Sequence, residues 1–268
     1  MATHSARVDE LSRADYGRII PLVPPHNVAG HMAFVHAVIE GSMPGAVWVD
    51  NTARPRWAIA CNLSGFWFAL GEAPASLTLL ELGPVVARRP ADEPTALWAV
   101  TESWRAVLLP LFATSATRDE FVYAPASGGI RPVLPGEFKM RPIDAAIARQ
   151  FGGGTDPWVV KIWGGPEEFA KRTFGTAILH EEALVSFCTA CAVGPGADPE
   201  AEVEIGTAPE FRERGLAVIA GNAFIDECAR RGIRPAWTCS SENIPSAHTA
   251  RRLGFRPLRT ITGFSIGP

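Results

Sequence analysis

The chain has 268 residues, of which 47% are hydrophobic and 20% charged, and its formal net charge is −3. This length allows one large or two medium domains, and the apolar fraction allows a substantial buried core. The small negative charge, without any block of Lys and Arg, argues against nucleic acid and anionic membrane surfaces as partners. No segment reaches the roughly 18 apolar residues of a membrane-spanning helix, and residues 1–15 lack the apolar core of a secretory signal.

The cysteines indicate a reducing environment. There are five, an odd number without regular spacing, which is typical of reduced thiols in a cytoplasmic protein. Cys188 and Cys191 form a C-x-x-C inside an apolar run that reads as a strand, where positions three apart face opposite sides. Because no second Cys or His pair stands at metal spacing, we predict packed core thiols and no metal site.

The first half has a mixed pattern of helices and strands. Residues 30–40 carry apolar side chains at helical spacing. The segments Gly45–Val49 and Arg56–Cys61 flank a turn and predict a hairpin. Residues 90–113 again show helical spacing, and we expect a long helix there.

A Gly- and Pro-rich stretch, Gly128–Glu137, is the best linker candidate. It predicts a first domain over 1–127 and a second over 128–268. After the linker we expect a strand at Phe138–Arg141 and a short helix at Ile143–Gln150.

A helix followed by a hairpin comes next. The helix begins at Pro166, and the hairpin strands are Thr173–Leu179 and Ala183–Val193. The same order, helix then hairpin, occurs around residues 30–61. We therefore expect a duplicated module whose first copy is degenerate, although the two segments share little literal sequence.

The segment from residue 202 to 231 predicts an anion site. Glu202–Thr207 alternates acidic and apolar side chains as a strand does, and a helix begins at Gly215 after a tight turn. The first turn of a helix leaves backbone N–H groups unpaired, and the helix dipole adds positive charge. Arg212 and Arg214 supply cations beside it. Any phosphate-bearing ligand could use this arrangement.

The next elements make the pattern more specific. Ala236–Cys239 reads as a strand, and Asn243 precedes a short helix with Pro245 in its first turn. Gly254 provides a left-handed cap at the end of that helix.

These motifs resemble those of the GNAT superfamily of N-acetyltransferases. R-E-R-G-L-A at 212–217 matches its R/Q-x-x-G-x-G/A signature, and N-I-P-S-A-H-T-A-R-R-L-G-F from residue 243 resembles its following motif. The sequence segments around these motifs resemble those of zwittermicin-resistance-type acetyltransferases, whose N-terminal half is GNAT-like but degenerate. The resemblance implies an α/β (α+β) GNAT fold with a mixed central sheet flanked by helices.

The resemblance also implies an acetyl-CoA site. Backbone groups of the strand would hold the pantetheine and the oxyanion, amides of the turn and helix start would cradle the pyrophosphate, and the second motif would bond the pantetheine arm. The implied residues are Ile205, Gly206, Thr207, Arg212, Glu213, Arg214, Gly215, Leu216, Ala217, Val218, Asn243 and Ser246.

The implied reaction is direct transfer of an acetyl group from acetyl-CoA to a primary amine of a small molecule, such as an amino sugar, in a ternary complex. A base must remove a proton from the amine before it can attack. The candidates are Glu202 and Glu204, which lie on the same face of the strand because they are two residues apart. Each is alternatively a solvated or ion-paired strand residue. Cys239 is better interpreted as a core residue than as a nucleophile. The sequence leaves open whether the protein forms a homodimer.

One position departs from the family pattern. Many relatives have a Tyr seven residues after the motif Asn, where this chain has Ala250. A thiol with a pKa of about 8.5 leaves tolerably as an anion, so the loss does not exclude catalysis. His248 is a nearby substitute for the missing donor or an exposed helix residue. The alternative function is therefore that of a non-catalytic regulator that binds acyl-CoA. A Rossmann-type nucleotide-binding function is improbable, since the sequence lacks a G-x-G-x-x-G motif after an early strand.

Overall fold

The computed structural model describes residues 8–25, 28–30, 32–89, 95–125, 131–153, 157–194 and 198–266. The predicted domain boundary at 127/128 lies outside these residues. Within them, no helix combines the length and the apolar character needed to cross a membrane.

Each half contains six strands. They are β1 (Asp9–Glu10), β2 (Gly45–Val49), β3 (Trp57–Asn62), β4 (Phe66–Gly71), β5 (Ala96–Ala99), β6 (Thr114–Tyr123), β7 (Phe138–Pro142), β8 (Gly175–His180), β9 (Ala183–Gly194), β10 (Glu200–Thr207), β11 (Arg234–Ser240) and β12 (Phe255–Ser265). The α-helices are α1 (Ala33–Ile39), α2 (Gly83–Val86), α3 (Glu102–Leu108), α4 (Ala145–Ala148), α5 (Pro157–Trp163), α6 (Pro166–Arg172), α7 (Leu216–Arg231) and α8 (Ile244–Arg252).

All these strands join one mixed sheet in the described part of the chain. Its order is β1-β2-β3-β4-β5-β12-β6-β11-β10-β9-β8-β7. The pairs β4–β5 and β10–β11 are parallel, and the other described neighbours are antiparallel. The two halves therefore repeat one pairing pattern, which agrees with the expected duplication.

The halves exchange their last strands. The first half's β6 lies between β12 and β11, and the second half's β12 lies between β5 and β6. One hydrophobic cluster also spans both halves, because Phe34 and Val35 of α1 belong to it together with Ala177 and Ala192 of the second half. Side chains from both halves consequently meet near the middle of the sheet.

The copies differ where the second has its long helix. Between the parallel strands, the second half has α7 with 16 residues, whereas the first half has α2 with 4. A four-residue helix has too few turns to build the dipole of a long one. The anion site predicted at α7 therefore has no close counterpart at α2.

The prediction of a long helix over 90–113 is wrong. Ala96–Ala99 forms β5, which pairs with β4 on one side and β12 on the other, and α3 begins after Thr101 caps its first turn. A strand buried on both faces has a continuous apolar run, which helical spacing also fits. The hairpin β2–β3, the hairpin β8–β9 and the helix beginning at Pro166 are confirmed.

Candidate functional site

Strand β10 separates from β11 halfway along its length. Their parallel pairing covers only Glu200–Glu202, opposite Arg234–Ala236, while β10 stays paired with β9 through Thr207. From residue 203 onwards, the β11 side of β10 has no strand partner in the described part of the chain. This exposed strand edge can pair with an extended ligand arm, as sheet edges do with peptides.

The turn after β10 directs the start of α7 toward this gap. Glu213 has φ +63° and Gly215 has φ +77°, so two left-handed residues reverse the chain directly before the helix. The Ile219 amide donates to the Gly215 carbonyl, which leaves the amides of residues 216–218 ahead of the helical ladder. A β-carbon at Gly215 would meet nothing within 4 Å. Glycine is therefore required there by the backbone conformation and not by crowding.

The gap, the turn and helices α7 and α8 enclose a cleft of about 750 Å³. Of the residues implied as coenzyme ligands, those that line it are Ile205, Gly206, Thr207, Arg212, Glu213, Gly215, Leu216, Ala217, Val218, Asn243 and Ser246. Arg214 is not among the residues that line the cleft; its guanidinium carbon lies 5.2 Å from the centroid of the Phe211 ring, which does line it. The amides, the cation of Arg212 and the open strand edge fit a phosphate-bearing ligand with a long polar arm.

Asn243 and Ser246 also have structural tasks. The Asn243 Oδ1 accepts from the Ser246 amide at 3.1 Å and so caps α8. The Ser246 hydroxyl accepts from the Trp237 indole N–H at 3.2 Å, which ties α8 to β11. Both residues therefore shape the cleft wall in addition to lining it.

Position 250, where many relatives carry Tyr, points away from the cleft. Ala250 is fully buried in the same cluster as Phe224 and Leu253. On the cleft side of α8, Thr249 donates its hydroxyl to the Pro245 carbonyl, and His248 is exposed. His248 is thus the titratable side chain that α8 offers to the cleft.

The two candidate bases lie on the opposite face of β10 from α7. Ala201 and Val203 pack in the cluster that contains α7, so Glu202 and Glu204 point to the other face. Glu202 is buried, and its Oε1 accepts from the Thr238 amide at 3.0 Å and hydroxyl at 2.9 Å. Glu204, which lies beyond the last β10–β11 pair, is exposed. Glu204 therefore lies on the part of β10 that borders the gap, on the face opposite the cleft.

A third carboxylate, Glu200, joins this face to the first half. The pKa of Glu200 is raised to about 7, mainly by burial and also by the charge of Glu202, although Arg234 at 3.3 Å lowers it. The Ala33 amide at the start of α1 donates to the same carboxylate. Helix α1 therefore covers the inner end of the carboxylate face and leaves Glu204 at its open end.

Sequence reasoning missed Arg252, which lines the cleft from α8. Pro245, His248, Thr249 and Arg252 follow one another at spacings of three, one and three, so they form one helix face. That spacing was visible in the sequence, but the family motif does not mark Arg252.

We expect Arg252→Ala to weaken coenzyme A binding about three- to fivefold, because an exposed cation facing a phosphate contributes up to about 1 kcal/mol. The loss should shrink at high salt. The matched control is Arg251→Ala, since Arg251 packs over Phe121 and does not line the cleft. Calorimetric titration compares the two. Equal affinities would contradict a role for Arg252.

The cysteines behave as core residues. All five are buried and free. Cys188 and Cys191 belong to clusters on opposite faces of the sheet, as predicted. Burial raises the pKa of Cys239, which disfavours the thiolate that a nucleophile needs.

The amino-acid sequence is similar to those of known proteins. The model of the GNAT acetyltransferase family matches residues 27–264. The uncharacterized N-acetyltransferase YdfB of Bacillus subtilis (strain 168) is 29% identical over 237 residues, 87% of this chain and 88% of that protein.

Two solved structures have the same fold. A GCN5-related N-acetyltransferase-like protein from Streptococcus suis 89/1591 covers 95% of this chain and 99% of its own, with a TM-score of 0.65 and 19% identity. The second is a tandem GNAT protein from the clavulanic acid biosynthesis pathway, solved without AcCoA. The match covers 98% of this chain and 99% of that protein, with a TM-score of 0.61 and 13% identity. The expected mixed sheet flanked by helices is thereby confirmed. The chain belongs to the GNAT acetyltransferase family and is an acetyltransferase.

Proposed function

We propose that this acetyltransferase uses acetyl-CoA to acetylate a primary amine of a small molecule, by direct transfer in a ternary complex. The observation that carries the proposal is the separation of β10 from β11 after Glu202. It would join the cleft on one face of the sheet to the carboxylates on the other. A donor and an acceptor can then meet at the gap from opposite sides.

The cleft residues would hold the coenzyme through backbone groups. The free edge of β10 from Ile205 to Thr207 would pair with the pantetheine arm, and the amides at the start of α7 would bind the pyrophosphate. Arg212 and Arg252 would neutralise phosphate charge. The coenzyme, as a thioester, supplies the activated acetyl group, and its use is general in the family.

The carboxylate face suits a cationic acceptor. Glu204 is exposed beside the gap and would take the proton that an ammonium must lose. Glu202, buried behind it, would add fixed negative charge that attracts the cation. Because α1 covers the inner part of this face, the acceptor has to enter at the open end, which favours a small molecule over a protein surface.

No hydroxyl is required at position 250. A thiol with a pKa of about 8.5 can leave as an anion near neutral pH. The buried methyl of Ala250 therefore fits an enzyme as well as a binding protein. The free thiols favour a reducing compartment such as the cytoplasm.

The test is an incubation of the purified protein with acetyl-CoA and a panel of amines that includes amino sugars, polyamines and amino acids. We expect release of free coenzyme A with at least one amine and a product that gains one acetyl group by mass spectrometry. Tight binding of acetyl-CoA without any acetylated amine across the panel would contradict the proposal.

A further inference from the structure

Arg118 of β6 lies beside the carboxylate face, although it belongs to the first half of the chain. Its register partner on β11 is Ser240, so it stands on the same face as Thr238 two residues away. The Arg118 Nη2 donates to the Thr238 carbonyl at 3.3 Å and to the Thr238 hydroxyl at 3.2 Å.

Thr238 passes this contact on to Glu202. Its hydroxyl, which accepts from Arg118, donates to the Glu202 Oε1 at 2.9 Å, and its amide donates to the same oxygen. A hydroxyl that accepts from a cation becomes a stronger donor, because hydrogen bonds in a chain polarise one another. The hydrogen bonds thus run in one direction, from Arg118 through Thr238 to the carboxylate of Glu202. We call these three residues the relay.

Aromatic rings fix the guanidinium in this position. The Arg118 guanidinium carbon lies 5.2 Å from the centroid of Phe66 and 5.9 Å from that of Trp98. Both rings belong to the first half, on β4 and β5. Such a stack suits the planar guanidinium of Arg better than the ammonium of Lys.

Arg118 also carries a cost that scaffolding alone does not explain. Its Nε atom is buried and has no hydrogen-bond acceptor in the part of the chain that the structure describes. A buried donor without an acceptor destabilises a fold, so a purely scaffolding role would not favour this arrangement.

We propose that Arg118 is a positioning residue: acting through Thr238, it orients Glu202 and places positive charge next to its carboxyl group for the acetyl transfer proposed above. This inference rests on that proposed function. Among the described residues, the charged and titratable groups near Glu202 on this face include Glu200 and Glu204 on β10, Cys191 on β9, and Arg118 and Glu120 on β6. Glu120 is itself paired with Arg259, whereas Arg118 contacts Thr238. The first half therefore contributes to catalysis through its exchanged strand.

The first test is the pH dependence of kcat/KM for the amine. In Arg118→Gln and in Thr238→Val we expect the low-pH limb to move up by about one pH unit, which is a loss of about tenfold on that limb and little loss on the plateau. Thr238→Ser should retain the limb, because it keeps the hydroxyl. The double variant Arg118→Gln/Thr238→Val should lose no more than either single variant. Arg256→Gln, an exposed residue of β12 outside the relay and the cleft, is the control.

The second test needs no activity. A double-mutant cycle of Arg118→Gln and Glu202→Gln is measured by urea unfolding of the full chain at pH 7, and we expect the two effects to be non-additive. Additive effects, or a pH limb that does not move in Arg118→Gln, would overturn the relay. If the wild type acetylates no amine while the cycle is non-additive, the relay is supported and the proposed function fails.

Discussion

Replacing Glu202 and Glu204 together by Gln is expected to lower kcat by about 10²-fold or more, the usual contribution of a positioned general base. Gln keeps the shape of Glu but cannot take a proton. The affinity for coenzyme A should stay unchanged, because both residues point away from the cleft. Steady-state kinetics and calorimetry of the same preparations measure the two quantities.

The single variants assign the roles. Glu204→Gln should account for most of the loss in kcat, since Glu204 is exposed at the gap, whereas Glu202→Gln should also raise KM for a cationic amine. The matched control is Glu210→Gln, an exposed acid that lies before α7 and does not line the cleft. A double variant whose rate stays within a few-fold of the wild type would show that neither carboxylate is the base.

Glu120→Ala is expected to lower the free energy of unfolding by about 3–5 kcal/mol, as the loss of one partner from a buried ion pair does. Glu120 is fully buried in β6, and its Oε2 accepts from Arg259 Nε at 2.7 Å and from the Gly30 amide at 2.9 Å. Arg259 in turn donates to the Val100 carbonyl. The substitution leaves a half-buried cation and a backbone amide without their acceptor, and it frees the segment that leads into α1.

Urea unfolding compares the loss of unfolding free energy in Glu120→Ala with the loss caused by breaking a solvent-exposed ion pair. Glu10→Ala removes a 2.6 Å contact with Arg88 in which both side chains are more than one-third exposed, and it should cost at most about 1 kcal/mol. If Glu120→Ala costs no more than Glu10→Ala, the ion pair between the exchanged strands does not stabilise the fold.

The proposed coenzyme side of the site was recognisable in the sequence because its residues are close together along the chain. The end of β10, the turn and the start of α7 follow one another within 19 residues, 200–218, and hydrogen bonds of a helix start depend on near neighbours. Gly215 and the cap at Asn243 are recognisable from residue type alone. The stacking of the Arg214 guanidinium on Phe211 is a detail of side-chain packing that the motif does not encode.

On the proposed acceptor side, the sequence indicated Glu202 and Glu204 but not the residues that meet them. Arg118, Thr238 and Glu202 are far apart along the chain, and they meet only because β6 enters the sheet beside β11. Strand order and register decide such contacts, and neither follows from a single strand's alternation. The failed helix at 90–113 has a related cause, since the pairing of β5 on both sides outweighs its helical spacing.

Calorimetric titration of Gly215→Glu determines whether the start of α7 binds the diphosphate of coenzyme A. The matched control is Gly232→Glu, because Gly232 has φ +65° and caps the far end of the same helix. We expect coenzyme A to bind wild type and Gly232→Glu with similar affinity, and Gly215→Glu at least about tenfold more weakly, equivalent to about 1.4 kcal/mol. No binding heat with the wild type, or an unchanged affinity in Gly215→Glu, would contradict binding at this helix start.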